Sequence, residues 1–222
     1  NKQLQGARLE AMVMGYDVNQ IASQLTDEFG NLDQVTSKNI KSLGRMEKTL
    51  GIATEDSAVL VKSFMDISGG SFEAGVNMVK LTSELAVANN VAPGAVMKDI
   101  AANTEMFAEF GADGGKNIAK AAVQAKKLGV NLGTTAKIAN SLLDFESSIE
   151  KEMEASMMIG KQLNYNKARE LALSGDVAGA TADVVKQLGG QAELGKLNVL
   201  QRRALADSIG VSVEEMNKLS SG

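Results

Sequence analysis

Thr134–Asp176, TTAKIANSLLDFESSIEKEMEASMMIGKQLNYNKARELALSGD, is the stretch from which the fold is read. Between Thr134 and Gly160 it holds no proline and no internal glycine, so the spacing predicts one helix that runs until Gly160 offers a stop. Phe145, Ile149, Met153 and Met157 fall four residues apart and line up as a single apolar stripe about three turns long. Glu146, Glu150 and Glu154 form a second row of the same period beside it. Like charges four apart cost a helix about 0.2–0.5 kcal/mol per pair, so the acidic row is expected to face water or a basic partner. Past Gly160, Asn164 or Asn166 is placed to cap a short helix with Ala168, Leu171 and Ala172 on one side, ended by Ser174, Gly175 and Asp176.

The totals agree with that reading. In 222 residues, 44% hydrophobic, there is enough apolar side chain for one or two packed domains. Only 4% is aromatic and Trp is absent, so cores must be built from Leu, Ile, Val, Ala and the 11 Met. One proline and an abundance of Ala, Lys, Glu and Leu point to an all-α chain without a sheet. The 22 glycines then sit mostly between periodic stretches, where a left-handed residue closes one helix before the next begins.

Residues 1–16 read as a helix with Leu4, Leu9, Met12 and Val13 as its apolar side. Asp17 starts a second with Val18, Ile21, Leu25 and Phe29, and a third over about 33–50 carries Val35, Ile40, Leu43, Met46 and Leu50. From Leu50 a loose repeat appears, an apolar residue, a glycine, a short loop and a capped helix, with Gly51, Asn90, Gly111, Gly129 and Gly210 in the closing position. Ser212 and Glu215 are spaced as a capping box in its last occurrence, and Ser71 caps the helix after the SGGS joint at 68–71. Core candidates are Phe64, Phe72, Met78, Leu81, Leu85, Ile100, Phe107 and Phe110. Residues 112–128 give a small-residue helix, with Ile118, Ala121, Ala122, Ala125 and Leu128, able to approach another backbone closely. Beyond Asp176 come a helix with Val177, Val184, Val185 and Leu188 and another with Leu200, Ala204, Leu205 and Ile209. Three segments are expected: an N-terminal helical segment, 1–68; helical hairpin repeats, 69–133; and a long helix with a C-terminal helical subdomain, 134–222.

Several chemistries find little footing. A net charge of −4 offers no basic surface for sequence-specific nucleic-acid binding. With no Cys and no His, thiolate nucleophiles, sulfur metal sites and the commonest general base are missing. GADGGKN at 111–117 lacks the spacing of a phosphate loop, and no D-x-[DN]-x-[DN]-G calcium loop occurs. Glu146-Ser147 invites comparison with the acid of a peptidoglycan-cleaving, lytic transglycosylase-like module, yet such an acid needs an apolar pocket that raises its pKa, and the chain lacks the aromatic platforms that sugar subsites favour. No catalytic residue, metal or cofactor is therefore expected. No run is long and apolar enough to cross a bilayer, and a membrane-interacting helical role is opposed by the acidic balance. The chain begins at Asn1, as expected of a piece of a longer protein.

Two runs carry a resemblance. FESSIEKEMEASMMIGKQLNYNKARELALSGD (145–176) and LNVLQRRALADSIGVSVEEMNKL (197–219) together resemble the tail tape measure proteins of tailed bacteriophages. The shared pattern is a glutamate-rich helix, a GKQLN turn and an NKARELAL-type helix, followed by L-x-V-x-Q-x-x-A-L-A-x-x-[IV]-G-[VM] and a capped segment; it covers about residues 134–222. The resemblance implies a structural virion protein that lies in the tail tube lumen, sets tail length and leaves during genome ejection, after assembly in the host cytoplasm. It implies as partners further copies of itself, as a trimer, the tail tube, the tail tip or baseplate hub, and the host membrane during ejection. At about 1.5 Å of rise per residue, this chain could measure at most about 330 Å. Its glycines oppose so extended a form, so the segment is read as a folded end that meets the hub. Phe145, Ile149, Met153 and Met157, with Glu146, Glu150 and Glu154, are then the expected oligomer or partner interface.

Overall fold

Residues 4–221 are described by a computed structural model. Among them the chain is all α-helical, with no strand. In order the helices are α1 (Gln5–Met14), α2 (Val18–Phe29), α3 (Ser37–Leu50), α4 (Thr54–Ser68), α5 (Phe72–Ala88), α6 (Pro93–Ala101), α7 (Met106–Phe110) and α8 (Lys116–Lys127). They continue as α9 (Leu132–Leu143), α10 (Phe145–Ile159), α11 (Asn166–Leu173), α12 (Val177–Leu188), α13 (Gln191–Gly195), α14 (Val199–Asp207) and α15 (Val213–Leu219).

The turn chemistry is what the glycines predict. Gly51, Asn90, Gly129 and Gly210 all have φ between 57° and 72°, the left-handed region that ends a helix. Gly111 departs from the pattern at φ −86°; a Cβ there would lie 2.3 Å from the Phe107 carbonyl oxygen, so close packing selects the glycine. The successors are capped as read: Ser71 accepts from the Ala74 N–H, and Ser212 with Glu215 forms a reciprocal capping box. A second box, Asn198 with Gln201, starts α14.

The chain divides into two compact units, Asn1–Ala119 and Lys120–Gly222, with the boundary inside α8. This differs from the three segments read from sequence, because the joint at 68–71 is a tight corner between two helices of the first unit. There α4 is central, packed on α2, α3, α5, α6 and α7. Gly75 of α5 sits so near α4 that a Cβ would fall 2.3 Å from the Val61 carbonyl oxygen. Leu60, Val61 and Phe64 of α4 are buried with Ile21, Leu25, Ile40, Val79, Met97 and Ile100, and the Phe64 and Phe107 rings meet edge to face at 5.0 Å.

Five residues expected on the apolar sides of α1, α5 and α14 are exposed instead. Leu9, Met12 and Val13 of α1 are exposed; the helix meets α3 with Ala7 buried and Glu10 bonded to Arg45, a face too small and polar to register as apolar. Leu81 is also exposed, since α5 buries the row Phe72, Gly75, Val76, Val79, Thr82, Ser83 and Ala86 in its place. Leu200 lies outside on the first turn of α14, which turns Leu205 and Ala206 inward.

The predicted helix from 134 to 160 is two helices. Asp144, at φ −78° and ψ 77°, interrupts it between α9 and α10. Ile138, Leu142, Phe145 and Ile149 would share one face of an unbroken helix. The non-helical residue resets the phase, so α9 buries Ile138, Ala139 and Leu142 while α10 buries Ser148 and Ala155.

Candidate functional site

The second unit places α10 against α9 and α14, with α9 also touching α11 and α12. The inner face of α10 is polar and small. Ser148 is fully buried and accepts a hydrogen bond from Arg169 Nε at 3.0 Å. Glu152, one turn on, accepts from Arg169 Nη2 and, at 3.2 Å, from the backbone N–H of Tyr165. Arg169 Nη1 donates to Asn166 Oδ1 at 3.0 Å, so each guanidinium nitrogen has a partner although the residue is only 4% exposed. A buried charge with a partner at each nitrogen is tolerable; an unpaired one is not.

The GKQLN turn is fastened by the same logic. Ser156 Oγ accepts from the Leu163 N–H at 3.0 Å. Gln187 of α12 accepts from the Asn164 N–H and donates back to the Asn164 carbonyl. Asn164 in turn accepts from the Asn166 N–H, one residue ahead of the N-cap; the cap itself is Tyr165, with no side-chain cap hydrogen bond, so neither Asn164 nor Asn166 takes the capping position expected of it. Tyr165 is fully buried, with its hydroxyl 3.1 Å from Ser208 Oγ. Burial pushes the Tyr165 phenol up to about 12, against the opposing pull of the Ser208 hydrogen bond. These contacts join the glutamate-rich helix, the turn, the NKARELAL helix and the end of α14 within one unit.

The expected interface residues lie on the other side of α10. Phe145, Ile149, Met153 and Met157 are 45%, 47%, 60% and 77% exposed, and Met158 joins them at 38%. Glu146, Glu150 and Glu154 are exposed alongside, and none of the three takes part in an ion pair among the described residues. Gln201 donates to the Met158 carbonyl at 2.8 Å, which ties the first turn of α14 to the C-terminal end of α10. The apolar and acidic rows thus remain together, as their spacing requires.

Arg169, Glu152, Ser148, Tyr165 and Ser208 escaped the sequence reading. The signal was present: Arg169 interrupts the small apolar side made by Ala168 and Ala172, and Ser148 and Glu152 are a polar pair one turn apart, off the acidic row.

Elsewhere, a polar cleft of about 950 Å³ in the first unit is lined by the starts of α3 and α5. Its cations are largely compensated, Lys38 by Glu73 at 2.7 Å, and Arg45 and Lys41 by Glu10. Among the described residues no group of three or more Asp or Glu is arranged to hold a metal ion, and no helix is long and apolar enough to cross a membrane. Comparison with protein-family models, with characterised proteins and with solved structures finds no match to this chain.

Proposed function

We propose that this chain is a segment of a bacteriophage tail tape measure protein, a structural virion component that works through protein–protein contacts and performs no catalysis. The observation that carries the proposal is the ordered pair of motifs at 145–176 and 197–219. Support comes from the way their residues depend on one another: Glu152 of the first helix holds Arg169 and the Tyr165 amide of the next, and Tyr165 holds Ser208 of the last. The motifs therefore belong to one folded module, 120–222, and not to independent helices. The exposed stripe of α10 is its docking face, presented toward tail tip or hub components, with several copies of the chain in the tail.

Quantitative mass spectrometry of purified tails from the phage that encodes the chain tests the proposal. A few copies of this chain per particle are expected, together with failure to complete tails when residues 120–222 are deleted in frame. Its absence from purified tails, or normal tails after the deletion, contradicts the assignment.

A further inference from the structure

The rotation of α10 is fixed from beneath. Ser148 and Ala155 are fully buried, and Glu152 is held by Arg169 and by the Tyr165 N–H, so the helix cannot roll its stripe inward without stranding the guanidinium. What faces outward is therefore a fixed surface with two parallel rows. One is apolar, Phe145 to Met157, about 18 Å long at 1.5 Å per residue. The other is acidic, Glu146, Glu150 and Glu154, without cationic partners among the described residues. Both rows step by one helical turn. A second helix laid alongside matches that step with its own side chains, and soft methionines adapt to whichever apolar residues it brings.

Charge decides which helix. An antiparallel pairing of two copies through the stripe sets one acidic row against the other. A parallel pairing sets each acidic row against the Ser156 side of the partner's stripe, where α10 itself carries no cation and Glu152 is held inward by Arg169. An anionic lipid surface is repelled by the same row. We infer that α10 is the receptor face for an amphipathic helix of another protein, whose apolar side covers Phe145, Ile149, Met153 and Met157 and whose flanking Lys or Arg row pairs with Glu146, Glu150 and Glu154. The inference rests on α10 being a docking face and not on the phage assignment. Copies of this chain, where they associate, meet through other surfaces.

The test uses the full chain and two fluorescent synthetic helical peptides of about 20 residues with the same leucine stripe, one flanked by a lysine row and the other by a glutamate row. Fluorescence anisotropy is expected to show the lysine peptide binding at least about tenfold more tightly than the glutamate peptide. Ile149→Ser with Met153→Ser is expected to weaken that binding about tenfold or more. The variant Glu146→Lys, Glu150→Lys, Glu154→Lys is expected to reverse the preference. Every changed side chain is exposed, and an unaltered melting curve checks that each variant folds. Equal binding of the two peptides, or a preference unchanged by charge reversal, overturns the inference. A multimer that dissociates on Ile149→Ser would give the face to a second copy, and binding to phosphatidylglycerol vesicles abolished by that change would give it to lipid; either overturns it too. None of these results bears on whether the chain is found in tails.

Discussion

Arg169 is the residue on which the second unit most depends. Its side chain is 4% exposed and its partner Glu152 is 14% exposed, so removing one of them leaves the other charge buried without compensation. Arg169→Ala is expected to cost about 3–5 kcal/mol in urea unfolding followed by circular dichroism. Arg169→Lys should recover only a small part, because an ammonium cannot serve Ser148, Asn166 and Glu152 from three fixed directions. A loss within about 0.5 kcal/mol of a typical surface change would show that the network is ornamental. Two titrations act on the same unit. Burial of the Glu215 carboxylate would raise its pKa, but hydrogen bonds from the Ser212 amide, Thr134 and Lys137 outweigh it and hold the group at about 2 against an ordinary 4.5. The unfolded chain then binds the proton first on acidification. Stability present above pH 4.5 is lost as pH falls toward 2, by roughly 2–3 kcal/mol, and Glu215→Gln should flatten that part of the stability profile. Tyr165 works in the opposite direction: its stability is full below pH 10 and is lost as pH rises through about 12.

Among the elements, most helices were legible, whereas the break between α9 and α10, the short α13 and the rotation of some helices were not. Val18, Ile21 and Leu25 face inward on α2, and Ile40, Leu43 and Met46 on α3, as their spacing predicts, because those stripes are the only apolar faces available. On α10 two faces compete. One is long and apolar, the other holds Ser148, Glu152 and Ala155, and the second is buried because Arg169 supplies the buried hydrogen bonds from a residue far along the chain. Local periodicity carries no information about that partner. The same holds for the break at Asp144, which no proline or glycine announces. It leaves the amides of Phe145, Glu146 and Ser147 as the first turn of a new helix, and the first ladder bond runs from the Ser148 N–H to the Asp144 carbonyl. Hydrogen exchange at Phe145, Glu146 and Ser147 should accordingly outpace that at Ala155 and Ser156 in the interior of α10. Uniform protection from Ile138 to Ile159 would mean one continuous helix, with its stripe on the face that α9 buries.

At the scale of the molecule, class was readable from composition, since one proline, few β-branched runs and glycines between periodic stretches leave little but helices closed by left-handed turns. The division at 119/120 was not, because it falls within α8 and no change of composition marks it. The candidate interface lies between these extremes: its residues were named by spacing, whereas their outward orientation depends on the network beneath α10. Methionine reactivity reads that orientation across the whole chain in one experiment. Brief peroxide oxidation of the 23.3 kDa chain, at a dilution where light scattering gives the mass of one copy, followed by peptide mass spectrometry, ranks its thioethers by access. The account predicts that Met153 and Met157, 60% and 77% exposed, oxidise early with Met12, while Met46, Met97, Met106 and Met216 oxidise last. Met153 and Met157 as slow as Met97 in a single-copy chain would contradict it, by placing the stripe inside the second unit instead of on its surface.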